Sequence, residues 1–500
     1  MNTTDSIYDL IENPICDPED LGRPIPDSPH AVSVALPLWE HVVGYEEGEA
    51  GVVDSMCLGY PRFMKNPIVQ RLVDECIERY CSDDETALVF PSERVAQRGI
   101  EFVAAQTKHQ GRIVEYGLNG IWVAVAPDGT REALDSFWQH TGEIVSSRMA
   151  EATLNGEGQT PGGNHAKLAI ETRISELTGA SAFDVYLFPT GMAALAMIQR
   201  VLHRLSPDAK SIQLGFPYVD LMKLQEKIGA GCRFFPNSDA GDTDEFSGYV
   251  KDNEISGVFT DLPGNPLLGS ASLRRLSKLL RPEGIPLVVD ETVGTYYNVD
   301  PFPYADILMT SLTKYFSGVS DVMAGAVVLN ADSPLSGRLR DIFQSEYEDL
   351  LWADDAMLVA KRCRDFETRM DRINRTAEKL ADYLSTHAKI ERIYYPKYDN
   401  RANYSSVIRT RGGFGGLMSV VVKDADRNAM AFYDHLRVCK GPSLGANYTL
   451  ACPYTLLAHY DELDLVAAQG VSPYLVRVSV GLEDLTELKA RFDEALSYVD

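Results

Sequence analysis

The sequence predicts an α/β protein, with a large domain on a mostly parallel sheet and a smaller C-terminal α+β domain. Three observations carry this. Between positions 165 and 329, apolar runs of about four or five residues alternate with longer amphipathic stretches, the pattern of strands buried on both faces and helices that cover them. Turn-forming residues follow several of these runs directly, in Pro189-Thr-Gly, Asp261-Leu-Pro-Gly-Asn and Asp290-Glu-Thr; parallel sheets bind their ligands at such strand ends. Beyond position 387 the rhythm changes to isolated strands separated by single helices. The expected division is 1–145 as an N-terminal arm and extra subdomain, 146–385 as the large domain, and 386–500 as the small one.

Residues 1–65 are rich in Pro, Asp and Glu and weakly periodic, which reads as an arm or extended segment. Its apolar run at 30–39 requires burial on the main body or on a neighbouring subunit. A helix is expected over 68–80, with strands at 86–90 and 121–125. A further helix covers 131–141 and resumes after a break to about 153, and 155–164 has the composition of a loop. The regular series follows: helix to 177, strand 185–188, helix 191–205, strand 211–214, helix 218–228, strands 232–235 and 257–260. Helix 271–280 and strands 285–289, 307–309 and 325–329 close it. A long helical stretch over 348–387 leads to strands 390–395 and 416–422, helix 427–436, strand 474–480 and helix 485–498.

Composition bounds the function. Of 500 residues, 45% are hydrophobic and 24% charged, ordinary for a globular enzyme. A formal charge of −25 disfavours nucleic acid and anionic membranes, both of which select clustered Lys and Arg. The eight cysteines are scattered and show no metal-type spacing, so no metal site is expected. No basic leader with an apolar run and no apolar stretch of bilayer length is visible, and a cytoplasmic location is the expectation.

Candidate chemistry centres on Ser311-Leu-Thr313-Lys314. A lone Ser-x-x-Lys is more often a surface lysine after a strand, but the other strand ends supply partners. A strand-end lysine that is partly desolvated can condense with an aldehyde, and Ser311 and Thr313 add hydroxyls beside it. Thr190-Gly191-Met192 opens a helix, whose free N–H groups, closely approached over a glycine, cradle a phosphate. Asp290 at a strand end can keep a pyridine nitrogen protonated. Tyr218 can lay its ring on a flat cofactor, and Asn265 can reach an oxygen on that ring. Arg477 is a single charge within an apolar strand; it pairs either with a substrate carboxylate or in an internal salt bridge.

In this order, spaced by whole β-α units, the motifs resemble the Cys/Met-metabolism family of fold type I pyridoxal-phosphate enzymes over about residues 140–500. The stretches His30 to Pro37, Val43-Gly-Tyr-Glu-Glu-Gly48, Gly59-Tyr-Pro-Arg-Phe63 and Gly441 to Tyr454 look like the fungal type of cystathionine γ-synthase. The resemblance implies pyridoxal 5′-phosphate held covalently by Lys314, with Lys314, Tyr218 and Asp290 catalytic. It places Thr190, Gly191, Met192, Tyr218, Asn265, Asp290, Ser311, Thr313 and Arg148 at the cofactor. Arg477, Ser443, Leu444 and Tyr448 go to the substrate. The family's Tyr-x-Arg, donated across a dimer to the phosphate, finds its nearest match in Ser146-Ser-Arg148, without the tyrosine. Ala446 stands at the second glycine of the Ser-Leu-Gly-Gly element, and Tyr448 replaces a frequent glutamate.

The activity implied is γ-replacement on an O-acyl-L-homoserine through a β,γ-unsaturated intermediate, by default with L-cysteine to give cystathionine. A carbon nucleophile such as a β-keto acid, or simple γ-elimination, are the alternatives, and a scaffold without activity is the reading from another class. A homodimer or homotetramer with shared sites is implied by the resemblance.

Overall fold

The computed structural model describes residues 10–500. Three sheets organise it. The first is antiparallel, ordered β1-β3-β2, from β1 (Glu85–Phe90), β2 (Arg112–Tyr116) and β3 (Ile121–Pro127).

The central sheet has seven strands: β4 (Val185–Phe188), β5 (Lys210–Leu214), β6 (Cys232–Phe235), β7 (Ile255–Asp261), β8 (Leu287–Asp290), β9 (Ile307–Ser311) and β10 (Gly325–Leu329). Their order is β4-β10-β9-β8-β7-β5-β6. The run from β9 to β6 is parallel, while β10 lies antiparallel to both its neighbours. Helices cover both faces, which is why β4, β8 and β10 are apolar along almost their whole length.

The third sheet joins β11 (Ile390–Tyr394), β12 (Leu417–Val422), β13 (Cys439–Lys440), β14 (Leu450–Pro453) and β15 (Val476–Ser479) in the order β11-β12-β15-β14-β13. Helices Phe366–Ser385, Ala425–His435 and Leu485–Ser497 pack against it through Leu380, Phe432 and Phe492.

Several elements differ from expectation. Helix Glu93–Thr107 and β2 were absent from the sequence reading. The helix is amphipathic with Ser92 as its N-cap, whereas β2 is only partly buried and lacks a clean alternation. The helical stretch at 348–387 is two helices, Ala353–Arg362 and Phe366–Ser385, separated by a tight turn at Cys363–Asp365. Helices Asp244–Asp252 and Ser336–Glu346 and the short β13 and β14 also went unread. No described helix is long and apolar enough to cross a membrane.

The arm is bound to the body of its own chain along much of its length. Helix Trp39–Glu46 follows the apolar run at 30–39, and Leu36, Trp39 and Val42 enter one core with Phe432, Tyr433 and Leu436. Polar bonds fasten the same stretch. The Trp39 N–H donates to Asp434 at 2.7 Å, Tyr433 donates its hydroxyl to the Leu36 carbonyl at 2.7 Å, and Lys440 Nζ donates to the Pro37 carbonyl at 2.8 Å. From there the chain turns inward and carries residues 59–63 to the carboxyl ends of the central strands.

Candidate active site

The cavity lies where β7, β8 and β9 end, roofed by Tyr60, Pro61 and Arg62 from the arm. Thr190, Gly191, Met192, Tyr218, Asn265, Asp290, Ser311, Thr313, Lys314 and Leu444 all line it. Lys314 sits in the turn just beyond β9, buried, and its Nζ donates to the Tyr60 hydroxyl at 2.8 Å and to Ser443 Oγ at 3.2 Å. Burial lowers the amine below the ordinary lysine value; Tyr60 opposes that shift, and the charges of Arg477 and Arg62 add to it. Burial would raise the Tyr60 phenol, but Lys314 and Arg62 outweigh it and leave it lowered.

At the other side, Asp261 and Asp290 are register partners on the adjacent parallel strands β7 and β8. Both carboxyls are raised, first by burial; Asp290 adds to the shift of Asp261, while hydrogen bonds from Thr292 restrain Asp290. Asp261 Oδ1 and Asn265 Oδ1 are buried without a partner. Two neighbouring carboxyls and an unsatisfied amide, all facing a closed cavity, are unfavourable alone and suit a flat group with a protonated ring nitrogen and a ring oxygen.

Opposite, Thr190 caps helix Gly191–Leu205. Its Oγ1 accepts from the Ala193 N–H at 2.9 Å and donates to the Gly142 carbonyl at 2.8 Å. Gly191 lets the helix start approach the strand end closely: a Cβ there would meet Met309 Cε and Ser311 Cβ, each at 3.0 Å. The exposed N–H groups of that helix start and the Ser311 hydroxyl form an anion cradle. Aldehyde-reactive amine, ring partners and phosphate cradle thus occur on one cavity, so the residues present fit pyridoxal phosphate.

Arg477 on β15 lines an adjoining cavity shared with Tyr218, Asn265, Lys314 and Leu444. Its Nη2 donates to the carbonyls of Pro442 at 2.6 Å and Ser443 at 3.0 Å, and its guanidinium stacks over Tyr454 at 4.5 Å. Among the described residues no carboxylate pairs with it, so the internal salt bridge is not formed and the charge is free for an anion. Ser443 therefore links the two cavities, its carbonyl held by Arg477 and its hydroxyl by Lys314.

Two expected residues are not brought to these cavities. Arg148 pairs with Asp355 at 2.9 Å and lines a smaller neighbouring cavity, which shares Pro61 and Arg62 with the first. Tyr448 is fully buried among Leu10, Ile15 and Ala446 where the arm crosses the small sheet, and its hydroxyl reaches the Val319 carbonyl at 3.3 Å.

The Tyr-x-Arg pattern is present elsewhere, as Tyr60-Pro61-Arg62. Arg62 donates to Asp220 at 2.5 Å and to the Tyr218 hydroxyl at 2.6 Å, and so stands beside the helix cradle. The signal was in the sequence: a tyrosine and an arginine two apart, followed by Asn66-Pro67, which caps the next helix.

Comparison with known proteins decides the family. A family model described as Cys/Met metabolism PLP-dependent enzyme matches residues 157–497, and a fungal trans-sulfuration enzyme N-terminal domain matches 68–146. The chain belongs to the Cys/Met metabolism PLP-dependent enzymes.

Within that family it is 33% identical to a cystathionine gamma-synthase of Neurospora crassa, covering 97% of this chain and 99% of the relative. It is 32% identical to a cystathionine gamma-synthase-like enzyme of Amanita muscaria over 95% of this chain and 96% of that one. Among solved structures it resembles metB from Corynebacterium glutamicum, with a TM-score of 0.58 and 28% identity over 66% of this chain and 85% of that one. The protein is thus a PLP-dependent enzyme of the cystathionine γ-synthase-like kind, acting on small amino-acid substrates by γ-substitution or lyase-type chemistry. The fungal N-terminal match coincides with the three-stranded sheet and its helices.

Proposed function

We propose that the protein catalyses γ-replacement on an O-acyl-L-homoserine, with L-cysteine as the default nucleophile and cystathionine as product. The observation that carries this is the placing of one neutral-tending amine, Lys314, between a phenol and a free arginine. Bound pyridoxal phosphate supplies an electron sink for negative charge at Cα and Cβ of the substrate. In this reading Lys314 holds it covalently, Asp290 keeps its ring nitrogen protonated, and Asn265 meets its ring oxygen. The Gly191 cradle, Ser311 and Thr313 hold its phosphate, with Arg62 taking the part that the sequence reading gave to Arg148, and Tyr218 covers its face.

Arg477 binds the substrate α-carboxylate and thereby sets which Cα bond faces Lys314. The freed Lys314 amine takes the proton from Cα and returns it along the substrate. Tyr60, hydrogen-bonded to that amine and lowered toward ionisation, is placed to exchange a proton with it as the acyl group departs from Cγ. The apolar walls at Leu36, Leu444 and Leu457 would limit water beside the substrate Cγ, which favours replacement over elimination. Those same walls keep open a second reading, a carbon nucleophile such as a β-keto acid. Cytoplasmic location and assembly into homodimers or homotetramers belong to this reading through the family resemblance.

The test is product analysis. The holoenzyme given O-acetylhomoserine and cysteine should form cystathionine by mass spectrometry. Consumption of acetoacetate with cysteine ignored would replace the thiol reading, and release of 2-oxobutanoate alone would make the enzyme a γ-lyase.

A further inference from the structure

The cavity beyond Lys314 has one more charged group, which no part of the reading above uses. Glu46, the last residue of helix Trp39–Glu46, lines the same space as Arg477 and Lys314. It has no hydrogen-bond or ion-pair partner among the described residues. Arg477, in the same cavity, is bound to backbone carbonyls. The same cavity is lined by the aromatic rings of Tyr45, Phe63 and Tyr454. A carboxyl with no basic partner, in a cavity that also presents aromatic rings, is a setting for a cation, which gains from the charge and from the ring faces together. The lining holds no further basic group. Once Arg477 carries the first substrate's carboxylate, a second carboxylate has no partner in this space.

We propose that Glu46 receives the ammonium group of the attacking nucleophile, so that the enzyme selects small aminothiols by their positive charge, cysteine being one member of the class. This rests on the γ-replacement reading and names the substrate class of its second half. Over the reaction the Cγ–oxygen bond of the ester breaks first, and the thiol sulfur then bonds Cγ. The thiol proton leaves with the carboxylic acid, and no oxidant or reductant takes part. Burial, helped by Asp461, raises Glu46 to about 7, the cost of a carboxyl kept without a cation. A bound ammonium relieves that cost.

The test compares three thiols with O-acetylhomoserine on the holoenzyme: cysteine, cysteamine and 3-mercaptopropionate, with thioether formation and acetate release both followed. Cysteine and cysteamine should agree in kcat/KM to within about tenfold, and 3-mercaptopropionate should fall below them by about a hundredfold. Glu46→Gln should raise KM for the two amines and shrink the cysteamine-to-mercaptopropionate ratio to near unity, and Glu46→Asp should restore much of it. The ratio is measured within one preparation, so a partly unfolded variant cannot mimic the result. Equal use of all three thiols by the wild type, or an unchanged ratio in Glu46→Gln, overturns the proposal alone. No acetate release with any thiol overturns the γ-replacement reading and this inference with it.

Discussion

The Tyr60 hydroxyl lies 2.8 Å from Lys314 Nζ, joining a residue of the N-terminal arm to one at the end of a central strand 254 positions later. Both groups are perturbed by the contact: the phenol is lowered by the ammonium, and the amine is held up by the phenol against the effect of burial.

Tyr60→Phe should therefore lower the Lys314 amine further from its ordinary 10.5, since the group opposing burial is gone. Covalent capture of added pyridoxal phosphate by the apoenzyme needs the neutral amine, so capture speeds up as pH rises. The midpoint of that rise should lie at lower pH in Tyr60→Phe than in the wild type, read from visible absorbance. Turnover should fall by about 10²–10⁴ with the proton-transfer partner removed.

Asp290→Asn should abolish γ-chemistry while stabilising the cofactor-free protein. Asp261 and Asp290 are raised above 3.8 in the fold, so their contribution is present at low pH and is lost as pH rises through the folded values. The apoprotein should melt at a lower temperature at pH 8 than at pH 5 from this pair. That difference should narrow in Asp290→Asn, measured by calorimetry.

Gly445→Ala tests how the lysine turn is positioned. Gly445 has φ +74°, and a Cβ there would lie 2.6 Å from Tyr315 N and 3.0 Å from the Lys314 carbonyl carbon. These are backbone atoms that cannot swing aside. The variant should lose about 1–3 kcal/mol from the left-handed conformation alone and more from the clash. It should bind cofactor without the wild-type absorbance, because the displaced Lys314 no longer meets the aldehyde.

Arg477→Lys should act on the substrate more than on the fold. The guanidinium is held by two carbonyls and a tyrosine ring, so its replacement leaves no buried carboxylate behind. Loss of the bidentate fork should cost about 2–3 kcal/mol in kcat/KM, mainly through KM for the acyl-homoserine, with the melting temperature changed by a few degrees at most.

Much of the central sheet was legible because its strands are short, apolar and punctuated by turn residues. Helix Gly191–Leu205 and strand β10 start and stop as periodicity and capping predict. The motif residues at strand ends were legible for the same reason, since a parallel sheet gathers its carboxyl ends. The arm was not. Its segments draw their stability from distant partners such as Tyr433 and Asp434, which leave no local period, so the Tyr60-Pro61-Arg62 motif was present in the sequence but its path through the site was not. Arg148 shows the converse: its spacing suited a phosphate ligand, whereas within this chain it pairs with Asp355.

Lys314 touches Tyr60 from near the beginning of the chain and Ser443 from near its end. The surroundings of this amine are therefore set by three segments far apart in the chain, and the arm segment is fastened in turn through Tyr433 and Lys440. A change at that fastening, remote from the cavity, reaches the amine through Tyr60.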